Sequence, residues 1–173
     1  MRHPTWGGAE EEEVGWVIRD RDESGRPRNS RPRDALGRPL PPGSTGVPRI
    51  PDDLCLPPVE TLSYAQELLD GGLAFNAHEV FEAAWKNGPE SERLLWQSLA
   101  QLAVGITHVQ RRNDGGAAAL LRRAGDGLVR TSRPVPYSID VDGLIACAAA
   151  LVADLDRGTE IDPARLRPLL TAA

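Results

Sequence analysis

The chain is poor in cysteine and in aromatic residues, and it has no long apolar run. Cysteine occurs only at positions 55 and 147 of 173 residues. A single pair is no disulfide framework, so a small secreted scaffold is set aside and a reducing compartment fits better. Cys147 lies in the Ala-rich apolar run from Ile145 to Val152, where a thiol behaves as a small hydrophobe. No stretch approaches the roughly 18 apolar residues that a membrane span requires. The N-terminus passes from Met1-Arg2-His3 to Glu10 to Glu13 without the apolar segment of a signal peptide. A soluble, cytoplasmic protein with no membrane partner is expected.

Other signatures are missing too. Asn113-Asp114-Gly115-Gly116 leads into a helix but lacks the spacing and lysine of a nucleotide-phosphate loop, so it reads as a turn and cap. Ser24, Ser30, Ser44 and Ser98 have no nucleophile setting around them.

What is present is unevenly spread. The first 50 residues hold 12 apolar residues against 57 in the remaining 123, which places the foldable part after about residue 55. We expect residues 1–55 to form an extended or partly disordered arm and residues 56–173 a helical domain. Arg-Pro pairs at Arg26, Arg31 and Arg38 argue for extension, since proline fixes φ and disfavours helix in the residue before it. The alternative is an ordered arm laid over the domain, with Arg28, Arg31 or Arg33 on carboxylates. Residues 51–173 carry 11 basic against 17 acidic side chains, a balance that repels a phosphate backbone and makes nucleic acid an unlikely partner.

After Pro57-Pro58 the apolar spacing turns helical. The first predicted helix runs from about Val59 to Asp70 and stops at Gly71-Gly72. The second runs from about Phe75 to Lys86, and the third from Pro89 or Glu90 to about Arg112. A fourth takes Ala117 to about Arg130. The fifth, from about Val141 to Asp156, shows the clearest amphipathic face, and a short last helix follows Asp162. No convincing strand appears in the core, so the fold class is all-α: a compact bundle of five to six helices.

The second helix carries the residues that could do chemistry. At about 100° per residue, Ala77, Val80, Phe81, Ala84 and Trp85 form one apolar arc, with His78 at the Trp85 edge and Glu82 beyond it. His78 and Glu82 thus share a face, while Glu79 points elsewhere. On the third helix Gln97, Gln101, Val104 and His108 form a second stripe beside the main apolar face. If the two helices pack as an antiparallel pair, His78, Glu82, Gln101 and His108 converge.

Phe75-Asn76-Ala77-His78-Glu79 through Glu82 and Trp85, then Gln101, His108, Asn113, Gly116-Ala117 and Leu120-Leu121, resemble the pattern of the domain of unknown function 309 family. The resemblance spans about residues 60 to 130. It implies a small all-helical protein and weight on the His-Glu-x-x-Glu helix, and it implies no reaction.

Two readings of the site follow. In the first, His78, Glu82 and His108 are acid/base or ligand groups of a small-ligand or catalytic pocket, with Gln101, Glu79, Trp85 and Asn76 facing the ligand; a carboxylate beside a histidine fixes its tautomer and raises its pKa. Hydrolysis of a small polar substrate suits such a pair. In the second, these residues are structural in an interaction or scaffold module, His78 being paired with its own helix neighbour. The cofactor is left unknown. Two histidines and a glutamate make a three-ligand set for a divalent metal such as zinc, but glutamate at position 82 departs from the His-Glu-x-x-His protease motif.

Overall fold

The computed structural model describes residues 31–172. The chain divides into two units, Met1–Ser30 and Arg31–Ala173. The acidic run at Glu10, the apolar patch from Val14 to Ile18, and Arg26 and Arg28 lie outside the described residues.

Five α-helices form the second unit: α1 Pro58–Asp70, α2 Ala74–Asn87, α3 Arg93–Gln110, α4 Asp114–Val129 and α5 Val141–Arg157. Among the described residues there is no strand, only isolated bridges between Arg33 and Pro39 and between Ile139 and Thr171. The expected all-α bundle is what the described residues form. No helix among the described residues is long and apolar enough to cross a membrane.

The ends of the helices follow from their punctuation. Pro58 opens α1, where a missing N–H costs nothing. Asp140 caps α5 by accepting the Gly143 N–H at 3.0 Å, and Gly158 ends it in the left-handed region. Two starts differ from expectation. Asn113 caps α4 through the Gly116 N–H, so that helix begins at Asp114 rather than near Ala117. Glu90–Glu92 form a 3-10 turn before α3, because extended Pro89 still accepts the Glu92 N–H three residues on. The last helix after Asp162 is likewise a 3-10 turn, Pro163–Leu166.

Each helix packs on the next in sequence, so α3 is flanked by α2 and α4. Gln110 at the end of α3 donates to the Gly72 carbonyl just before α2, which makes that pair antiparallel. The α3–α4 contact is tight: a Cβ on Gly105 would lie 2.9 Å from the Leu121 side chain, and one on Gly127 2.2 Å from Ser98 Oγ. Phe81, Leu95, Trp96, Leu99, Leu121, Leu128, Leu144 and Leu151 fill the core, each contributing roughly 1.5–3 kcal/mol by leaving water.

Both flanks are pinned to the bundle. Gln66 of α1 accepts the Leu170 N–H at 2.8 Å and donates to the Pro168 carbonyl at 3.2 Å. Buried Asp154 holds Arg157 and Arg165, and these guanidiniums, Arg165 first, keep its carboxyl below the usual range. Residues 31–57 have no regular helix, yet Ile50 is buried in the core. Asn87 donates to the Leu54 carbonyl at 3.3 Å, and Arg111 Nε to that of Leu36 at 2.7 Å.

Candidate functional site

The first turns of α2 divide their side chains among three surroundings. Ala77, Val80 and Phe81 enter the core. Phe75 and Asn76 face residues 31–57. Asn76 is 5 % exposed and donates from Nδ2 to the Pro48 carbonyl at 3.2 Å. The Phe75 ring lies under the guanidiniums of Arg33 and Arg111, at 5.3 and 5.7 Å from its centroid. Gly37, at φ +72, sits against the same ring, where a Cβ would come within 2.2 Å. Arg33 in turn donates to the Gly37 carbonyl at 2.6 Å.

His78, Glu82 and Trp85 share the remaining stripe. His78 Nε2 lies 3.7 Å from a Glu82 oxygen, close enough for attraction and too long for a direct hydrogen bond. Lys86 Nζ holds the other Glu82 oxygen at 2.8 Å, one turn further along. Burial holds the His78 pKa below the ordinary histidine value; Glu82 and the Phe75 backbone oppose that shift, and Lys86 adds to it. The expected rise from the neighbouring carboxylate is therefore outweighed by desolvation. Trp85 Nε1 is buried without a hydrogen-bond partner among the described residues, and buried His78 Nδ1 makes no hydrogen bond of good geometry there, the Phe75 backbone being near but misaligned. Glu79, beside this stripe, has its pKa raised by burial, against the pull of Arg33 and Arg49.

His108 is placed differently. Its Nδ1 lies 2.7 Å from Asn113 Nδ2, and the same Asn113 accepts the Gly116 N–H on Oδ1 at 3.2 Å. The cap fixes the amide orientation, so Asn113 is the donor and Nδ1 the acceptor, which puts the neutral ring's proton on Nε2. Gln101 is half-buried on α3 and makes no side-chain hydrogen bond among the described residues. No three His, Cys, Asp or Glu side chains among the described residues are grouped to hold a metal ion. The three-ligand set envisaged from His78, Glu82 and His108 is therefore not assembled among the described residues.

Several contributors had a sequence signal that was passed over. Lys86 stands four residues after Glu82, and Glu92 four before Trp96, whose Nε1 it accepts at 3.0 Å. Arg33 was expected only on carboxylates, and Gly37 and Arg111 had no signal, because all three meet Phe75 only through the tertiary fold. Arg93, 5.5 Å from the Trp85 ring centroid, arrives in the same way.

These features define a five-helix α domain with a His-Glu stripe and a clasped flanking segment. Residues 62–120, from α1 into α4, match the model of the family described as Domain of unknown function (DUF309). The match supports the resemblance that the motif suggested. No curated protein and no solved structure matches the chain.

Proposed function

We propose that the His78–Trp85 face of α2 is a small-ligand site with acid/base character. His78 acts there as a neutral imidazole, Glu82 is its orienting carboxylate, and Trp85 is a wall with an N–H to offer. The observation that carries this reading is the pair of buried ring nitrogens without a well-formed hydrogen bond, His78 Nδ1 and Trp85 Nε1, on one stripe. A buried polar atom without a partner costs about 1–3 kcal/mol, and a ligand that supplies the partner recovers that cost. A neutral imidazole is the form that takes up a proton, and a carboxylate 3.7 Å away stabilises the imidazolium that results. Proton transfer to or from a small polar molecule, as in hydrolysis, is the chemistry that suits this pair. In this reading Gln101 and His108 of α3 are the further groups assigned to the ligand. We place the protein in the cytoplasm, where Cys55 and Cys147 remain thiols.

The test compares native protein with His78→Gln and Glu82→Gln, measuring thermal unfolding alone and with a panel of small polar metabolites. Near-native melting together with loss of a ligand-induced stabilisation is the expected result. Marked destabilisation of both variants, with every ligand effect intact, would make these residues structural.

A further inference from the structure

A recess lies beside the C-terminal half of α2, and none of His78, Glu82 and Trp85 lines it. It has a volume of about 220 Å³ and runs between residues 54–58, the last turns of α2 and the start of α3. That is larger than the roughly 150 Å³ apolar cavity known to take up benzene. Leu54, Leu56, Val80, Ala84 and Trp96 give it an apolar wall.

Its polar groups are one-sided. Glu92 is the only charged side chain among the lining residues, which include no lysine, arginine or histidine. Asn87 spends its Nδ2 on the Leu54 carbonyl, and Thr61 donates its hydroxyl to the Pro57 carbonyl at 3.0 Å. Thr61 Oγ1 and Asn87 Oδ1 remain as acceptors, beside the second N–H of the Asn87 amide. Glu92 is held firmly, by Trp96 Nε1 at 3.0 Å on one oxygen and the Tyr137 hydroxyl at 2.6 Å on the other. Both donors are neutral, so they orient the carboxylate without cancelling its charge. The nearest cation in sequence, Arg93, is paired with Glu90 at 3.1 Å and stacked on Trp85.

We propose that this recess binds a small organic ammonium ion, its apolar body against Leu56, Val80, Ala84 and Trp96 and its charged nitrogen at Glu92. An apolar wall selects for the body, and an uncompensated carboxylate beside it selects for the charge. An anion of the same shape is repelled by Glu92, and a neutral analogue gains only the apolar term.

Three probes of one shape separate these contributions: 2-phenylethylammonium, 2-phenylethanol and phenylacetate, each titrated into the full chain and followed by NMR at the Trp96 indole N–H and the Val80 and Ala84 amides. Saturable binding of the ammonium at least tenfold tighter than the alcohol, with phenylacetate weakest, is expected. Glu92→Gln keeps an acceptor for Trp96 and a donor for the Tyr137 oxygen, and it should bring the ammonium down to the affinity of the alcohol. Equal affinities for ammonium and alcohol, shifts centred elsewhere, no saturation by any probe, or a charge preference that survives Glu92→Gln would each overturn the proposal. Should the variant fold poorly, the three-probe comparison on native protein decides alone.

Discussion

Replacing Gly37 with alanine should loosen residues 31–57 from the bundle far more than the same change at Gly43. Both glycines lie in the left-handed region, at φ +72 and +82. Either substitution therefore brings a backbone cost of about 1–2 kcal/mol. The two differ in what the new methyl meets. At Gly43 nothing lies within 4 Å, whereas at Gly37 three Phe75 ring atoms lie at 2.2, 2.3 and 2.5 Å. That overlap cannot be relieved by a few tenths of an ångström, so the ring or the turn must move. Moving the ring weakens its contacts with Arg33 and Arg111, each worth about 0.5–1 kcal/mol at a partly exposed site. With the backbone term, Gly37→Ala costs about 2–4 kcal/mol.

Much of that cost should appear as local opening, because residues 31–57 are attached to the helices at discrete points rather than through a helix of their own. Hydrogen exchange at the Leu40 and Val47 amides reads it directly. In the native protein these donate to the Pro32 carbonyl at 2.8 Å and the Arg33 carbonyl at 2.9 Å. At about 1.4 kcal/mol per tenfold, Gly37→Ala should speed their exchange roughly thirty- to several-hundred-fold. Gly43→Ala, with the backbone cost alone, should speed it roughly five- to thirty-fold. The α3 and α4 amides should be unaffected in both. Equal effects of the two variants would refute the ring-contact reasoning, as would faster exchange spread evenly through the bundle.

Two further outcomes follow from the titrating groups. An unfolded histidine takes up its proton near about pH 6.5, while burial makes folded His78 refuse it until lower pH. Stability is therefore full above the unfolded value and falls as the pH drops towards the folded one. His78→Gln should flatten the melting temperature between about pH 7 and about pH 5, and an unchanged slope would remove desolvation as the cause. At the α3–α4 turn, Asn113→Asp keeps the acceptor for the Gly116 N–H but presents a second acceptor to His108 Nδ1. Imidazole nitrogen NMR should then show the ring proton transferred from Nε2 to Nδ1, and persistence of the Nε2–H form would contradict the assigned cap geometry.

The helices were legible in the sequence because the determinants of a helix are local. The Pro58 start, the Gly71-Gly72 stop and the apolar face of α5 lie within a few turns of the residues they govern. The antiparallel α2–α3 pair followed from a turn too short for any other arrangement. For residues 31–57 the sequence left two readings open, a solvated arm and an arm laid over the domain, for the opposite reason. Their composition reads as a solvated arm, and what holds them, Phe75, Asn76, Asn87 and Arg111, is supplied by helices 28 to 75 residues away in sequence. The Asn113 contact with His108 is local too, five residues apart across the α3–α4 turn, yet the helical phase of α3 alone did not reveal it.

Helical phase explains why one short motif bears on both stability and chemistry. Adjacent residues on a helix point about 100° apart. Phe75 and Asn76 therefore reach residues 31–57, Ala77 the core, and His78 the half-buried edge, in four consecutive positions. Phe75 and His78 are three residues apart, so their rings stay neighbours, with centroids 5.9 Å apart. The clasp on residues 31–57 and the imidazole of the proposed site thus share a wall. Whatever loosens Gly37 from Phe75 also alters the burial that keeps His78 neutral, and Gly37→Ala should move the His78 pKa back up towards its ordinary value. A substitution made some 40 residues away in sequence would then change the protonation of the site without touching it, which a purely surface histidine would not show.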